Sequence, residues 1–167
     1  MALAYVARFA TSTGKLGTYL KRKLRERGWD PDAPAPPDVD GIVARMAGAG
    51  YVSDEGYARM RGASLRRRGM GARRITQDLG QAGIAADLSA EAVGTQAEAR
   101  SAALALARKR RLGPFGLREE GAALDPAARE KQIGVFLRAG HPLATARVLV
   151  NAGSVAEAEE WVYEADE

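Results

Sequence analysis

The residues with the densest chemistry in this chain are five arginines, Arg66, Arg67, Arg68, Arg73 and Arg74, on both sides of the tripeptide Gly69-Met70-Gly71. Guanidinium groups at this spacing can converge on one surface and make charge-assisted hydrogen bonds to phosphates or carboxylates. A second cationic group, Lys21, Arg22, Lys23, Arg25 and Arg27, contains Glu26 as its one acid. Both groups are candidates for contact with an acidic partner. The other reading of each is a solvated helix face that keeps the protein soluble. A third run, Arg108 to Arg111, falls at a helix end, where the helix dipole alone favours cations.

Nothing in the sequence assembles a catalytic centre. Paired acids, a nucleophile with its base and metal-ligand spacings are all lacking. With no cysteine and a single histidine, His141, neither a disulfide framework nor a zinc site is expected, and no cofactor is implied. Gly69-Met70-Gly71 lacks the Lys-Ser or Lys-Thr of a phosphate-binding loop and reads as a turn. His141 stands directly before Pro142 and reads as a helix cap. Arg61, four residues after Tyr57 and four before Leu65, lies beside a buried stripe, where its stem runs along apolar surface or its head pairs with a carboxylate.

The net charge of +4 hides an asymmetry. Residues 1–84 hold fifteen Lys and Arg against eight Asp and Glu, a balance of +7, whereas residues 85–167 hold ten against thirteen, or −3. A basic front half and a pI near 9.6 point to an acidic partner such as nucleic acid, a membrane surface or an acidic protein groove. The closing residues Glu157, Glu159, Glu160, Glu164, Asp166 and Glu167 read as the exposed side of a last helix, or as a surface that meets basic lobes. An apolar content of 46% suffices for a core. No run approaches the roughly 20 apolar residues that span a bilayer, and the amino terminus reads as part of the fold rather than as a signal. A cytoplasmic setting is expected.

The elements that must position these charges are helices throughout. Leu3, Val6, Ala7 and Ala10 predict a first helix over 3–12, ending in Thr11-Ser12-Thr13-Gly14. Leu16, Tyr19, Leu20 and Leu24 stripe a second, which Gly28 stops and Trp29 closes by packing back toward Leu24. The Pro-rich loop 30–37 cannot continue a helix. Asp38 caps a third helix with Val39, Ile42, Val43 and Met46 inward, closed by Gly50 and Tyr51. Ser53-Asp54 starts a fourth. After the glycine turn, Ala72, Ile75, Leu79 and Ala82 stripe a fifth, stopped by Gly83 with Ile84 folded back on Leu79.

Leu20, Leu24, Gly28 and Trp29 match Ile75, Leu79, Gly83 and Ile84 at a constant offset of 55, which marks an internal repeat. A weaker third copy begins at Asp125-Pro126, turns at Gly140-His141-Pro142 and repeats the Leu-to-Gly step from Leu149 to Gly153. In it Thr145 stands where Ile75 stands and Ser154 replaces the apolar closing residue. Ser154 and Glu157 form a capping box for a last helix bearing Val155, Ala158, Trp161 and Val162. A single alanine-rich helix from about Ser89 to Arg111 is expected between the second and third copies. The tyrosines and tryptophans at stripe or helix-end positions, Tyr5, Tyr19, Trp29, Tyr51, Tyr57 and Trp161, read as core rather than as platforms for stacking bases.

The stretch Gly50-Tyr51-Val52-Ser53-Asp54, then Tyr57-Ala58, the basic run into Gly69, and Arg73-Arg74-Ile75, Leu79 and Gly83-Ile84 resembles the central repeat of the RecX family. These are small bacterial regulatory proteins that act on the RecA recombinase. The first copy, with Tyr19 to Leu24 and Gly28-Trp29, is similar to that family's first repeat, so the resemblance covers nearly the whole chain. The third copy departs most from the pattern.

The resemblance implies an all-α fold, an elongated array of three tandem three-helix units resembling helix-turn-helix motifs. Residues 1–52 form the first, 53–111 the second with its long third helix, 112–124 a linker and 125–167 the third. It further implies a non-enzymatic regulator lying in the groove of a RecA filament on DNA and suppressing filament growth, strand exchange and stimulated repressor cleavage; a monomer is expected. Single- or double-stranded DNA would be met weakly or within the filament, and membranes not at all. The residues assigned to the partner are Lys21, Arg22, Lys23, Arg25, Arg66, Arg67, Arg68, Arg73 and Arg74. The alternative is a free-standing DNA-binding helical array that needs no RecA.

Overall fold

Three small apolar cores follow one another along the chain, each closed by helices adjacent in sequence. The computed structural model describes residues 1–29, 32, 35–116 and 124–164, and among these every regular element is helical. Helices α1 (Ala2–Val6), α2 (Thr13–Arg27) and α3 (Val39–Gly48) enclose Leu16, Leu20, Val39 and Val52. Helices α4 (Asp54–Arg67), α5 (Ala72–Gln81) and α6 (Ala86–Val93) enclose Tyr57, Leu65, Ile75, Leu79 and Ile84. Helices α7 (Gln96–Arg110), α8 (Pro126–Arg138), α9 (Leu143–Asn151) and α10 (Val155–Tyr163) surround Phe136, Leu149 and Val150, which are fully buried. The accessible surface is 10295 Å², against about 7,900 Å² for a compact chain of this mass. That excess is what a row of small units exposes.

Local chemistry sets most of the helix ends. Asp38, Ser53, Asp125 and Ser154 each accept a hydrogen bond from a backbone N–H of the first turn, the N-cap arrangement that satisfies donors the helix cannot. A positive-φ glycine stands at both stops, Gly28 and Gly83 with φ of 72° and 77°, a region that costs glycine little. Only the second closes as expected: the Ile84 N–H returns to the Leu79 carbonyl at 3.1 Å, whereas Gly28 has ψ of 178° and α2 ends without that bond.

Five expectations need correction. The first helix ends at Val6 rather than near residue 12, because Thr11 and Ser12 are drawn into a contact with the second unit. Ser12 Oγ donates to the Ala82 carbonyl at 2.5 Å and accepts from the Lys15 N–H. The alanine-rich helix is two helices. Gly94 at φ 90° breaks it, and the Thr95–Glu98 capping box starts α7, whose buried face joins the third core. The third copy is displaced by one residue: Gly69 and Gly140 both have positive φ, and at that offset of 71 it is the fully buried Ala146, not Thr145, that stands where Ile75 stands. Trp29 and Tyr51 are about half exposed instead of core, while Tyr57 is buried as expected and Tyr5, Tyr19 and Trp161 are half-buried. His141 caps no helix through its side chain. It is buried at 5% exposure, and its Nε2–H donates to the Gly69 carbonyl at 2.9 Å, since a carbonyl oxygen can only accept.

That histidine belongs to the seam between the second and third units. Gly71 N–H donates to the Ala139 carbonyl at 2.9 Å and Arg73 N–H to the Gly140 carbonyl at 3.3 Å, so the two glycine turns lie back to back, with Met70 touching both cores. Burial pushes the His141 imidazole below its ordinary value, and the bond to Gly69 opposes this only in part. The folded protein therefore holds it neutral where the unfolded chain, titrating near about 6.5, takes up a proton. Stability is full above that value and falls as the pH drops below it, by at most about 1.4 kcal/mol per pH unit. Urea midpoints measured between pH 8 and pH 5 should show this fall in the native protein and a flatter profile in His141→Gln; parallel profiles would sink the assignment.

Candidate partner-binding surface

The cations singled out in the sequence sort by what their side chains already hold. In the first group, Lys21 pairs with Asp40 at 3.0 Å, and Arg22 and Lys23 both reach Glu26, at 3.2 and 2.7 Å. The Lys23 ammonium holds the Glu26 carboxyl below the usual carboxylate range. Arg25 and Arg27 are exposed and make no side-chain bond among the described residues. These pairs are largely solvent-exposed and screened by salt, so they add little to stability, and they leave α2 with a positive outer face.

The second group does not gather on one patch. Arg66, at the end of α4, turns inward, its side chain 17% exposed, and donates to the Ala92 carbonyl at 2.6 Å and to Glu98 at 3.0 Å. It thereby ties α4 to the end of α6 and the start of α7. Arg73 turns the other way and donates to the Leu137 carbonyl at 2.9 Å, in the last turn of α8, where unpaired carbonyls and the helix dipole favour a cation. Arg74 rests on Gln77 at 3.1 Å and is exposed. Arg67 and Arg68 are exposed without a side-chain partner among the described residues. The charges at the second unit that are free for another molecule are thus Arg67, Arg68 and Arg74.

Arg61 behaves as its spacing predicts. Its guanidinium meets Asp78 in a two-pronged pair, Nε and Nη2 each at 2.7 Å, which locks α4 to α5 and holds the Asp78 carboxyl below its ordinary range. In the third unit, Arg108 pairs with Glu159, and Arg100 lies 4.4 Å from the Trp161 ring centroid. Asp166 and Glu167 lie outside the described residues, as do 117–123 of the linker and residues 30, 31, 33 and 34 of the Pro-rich loop.

Sequence reasoning missed two features. One is the pair of seams: Thr13 donates through N–H and Oγ1 to Asp54 at 2.8 and 2.6 Å, in the first as His141 and Gly69 meet in the second. The other is the environment of Arg8, Phe9 and Lys15, for which a signal existed, since Phe9 falls off the apolar stripe of its predicted helix. No helix among the described residues is long and apolar enough to cross a membrane.

The family model for the second three-helix domain of RecX matches residues 53–93, the span from the Ser53 cap to the end of α6. Over 166 aligned residues the chain is 31% identical to the regulatory protein RecX of Myxococcus xanthus (strain DK1622), an alignment covering 90% of this chain and 82% of that protein.

Proposed function

The chain belongs to the RecX family, and from that premise we propose that it is a non-enzymatic regulator of the RecA recombinase. In this reading it binds the groove of the RecA–DNA filament and inhibits filament growth, strand exchange and coprotease activity during recombinational repair and the SOS response. It acts as a cytoplasmic monomer. The observation that supports this best is the row of three seamed units, of which the first two hold exposed arginines, Arg25, Arg67, Arg68 and Arg74, that no carboxylate pairs among the described residues. Such a row presents positive charge along a length rather than at a point, which suits a polyanionic filament. Arg66 and Arg73 serve it as positioning residues, through the carbonyls they hold.

The test compares binding of the purified protein, at near-physiological salt, to single-stranded DNA alone and to the same DNA coated with RecA and a slowly hydrolysed nucleotide. Preference for the coated strand by about tenfold, or about 1.4 kcal/mol, is the expected result. Equal or tighter binding to bare DNA would favour a free-standing DNA-binding protein and overturn the reading.

A further inference from the structure

Beside the first seam, α1, the segment after it, and α2 frame a cleft of about 650 Å³ lined by Tyr5, Arg8, Phe9, Lys15, Tyr19 and Arg22, and by no aspartate or glutamate. Tyr5 stacks on Tyr19 with ring centroids 4.0 Å apart and planes 15° from parallel. Phe9 leans on Tyr5 at 5.3 Å and 45°, is 56% exposed, and has no ring stacked parallel to it among the described residues. Three cations stand around these rings. Arg8 is free of side-chain partners among the described residues, Lys15 is steadied by the Tyr57 hydroxyl at 2.9 Å, and the Arg22 guanidinium lies 5.7 Å from the Tyr19 ring centroid.

We propose that this cleft binds single-stranded nucleic acid, one base lying on the open face of Phe9 and the neighbouring phosphates meeting Arg8, Lys15 and Arg22. Each part of the cleft suits one part of that ligand. An exposed ring beside cations offers a stacking surface to any base, and a base gives a flat partner that an aliphatic side chain cannot. The cations, of which Arg22 also holds Glu26 outside the lining at 3.2 Å, match a phosphate at every nucleotide. A duplex does not fit this chemistry because its bases are stacked on one another. An acidic peptide would satisfy the charges but offers a flat ring only where its sequence supplies one, whereas every nucleotide brings a base. The inference is independent of the filament reading, since it concerns a bare strand.

The experiment is anisotropy of a labelled short oligothymidylate titrated with the full chain at several salt concentrations. Phe9→Ala should weaken binding about tenfold with an unchanged salt slope, as loss of one stacked base does, and Phe9→Trp should restore it. Arg8→Ala should lower the salt slope by about 0.7, the amount for one phosphate contact on a single strand. Phe9 is exposed, so an unchanged melting temperature for Phe9→Ala is expected and separates contact from folding. No binding of the native protein to the oligonucleotide, or Phe9→Ala binding it within about twofold of native, would overturn the proposal. So would an equal loss on a duplex, or a loss confined to RecA-coated DNA, which would mark the cleft as a protein contact. Failure here with intact preference for the filament would leave the regulator reading standing.

Discussion

Gly140→Ala should destabilise the protein by about 3 kcal/mol and uncouple its last unit from the middle one, two physical effects acting at one atom. Gly140 has φ of 93°, a conformation that L side chains rarely adopt. A Cβ added there would also lie 2.4 Å from the Arg74 nitrogen and 2.7 Å from the Arg74 Cβ. The first is backbone, so no rotamer change relieves the clash. The turn must move, and it carries the Ala139 and Gly140 carbonyls that accept from Gly71 and Arg73, together with the His141 bond to Gly69. Gly80 is the contrast: it lies within α5 with nothing within 4 Å of an added Cβ, so Gly80→Ala should gain about 0.5 kcal/mol from helix propensity. Urea unfolding with amide exchange checks both. A row of units loses cooperativity when an interface between them fails, so α8 to α10 should exchange in Gly140→Ala independently of α4 to α6. A Gly140→Ala midpoint matching the native one would show that the seam yields cheaply and does not couple the units.

The seams also explain what the sequence did and did not disclose. Caps and stops were legible because they act over three to five residues: Ser53 to Gly56, Asp38 to Gly41, Gly83 and Ile84 to Leu79. Hydrophobic spacing placed Leu16, Leu20, Ile75 and Leu79 inside for the same reason. The end of α1 was not legible, since Ser12 is claimed by a carbonyl 70 residues away, and a local pattern carries no trace of that partner. Nor could spacing reveal that Arg66 and Arg73 are occupied, because the carbonyls they hold are 26 and 64 residues distant. The break before α7 was different, since Gly94-Thr95 followed by Glu98 is a stop and a capping box in plain view. There the alanine-rich composition on both sides favours one continuous helix and obscures the signal. The one-residue shift in the third unit is hard to see in the sequence because the unit holds several leucines that fit the spacing, whereas the positive-φ glycines Gly69 and Gly140 tolerate no slippage.

Because Arg73 is committed to the end of α8, reversing Arg73 and Arg74 together would mix two effects, loss of a helix-end cation and loss of a partner contact. Arg67 and Arg68 avoid the difficulty. Both are exposed and unpaired among the described residues, and both sit in the last turn of α4 or directly after it. Reversing them to glutamate therefore breaks no internal bond, and the fold should lose only the small favourable interaction of cations with a helix end. If the filament reading is right, Arg67→Glu with Arg68→Glu should weaken binding to RecA-coated DNA by about a hundredfold, because each change turns an attraction into a repulsion at a polyanionic surface. The loss should shrink steadily as salt is raised, since screening weakens attraction and repulsion alike. Arg66→Glu gives the opposite signature: it places a carboxylate against the Ala92 carbonyl and Glu98, so its melting temperature should fall whether or not binding does. Filament affinity of the double variant within about twofold of native, with an unchanged melting temperature, would remove the end of α4 from the interface. The positive face of α2 would then be left to carry the contact.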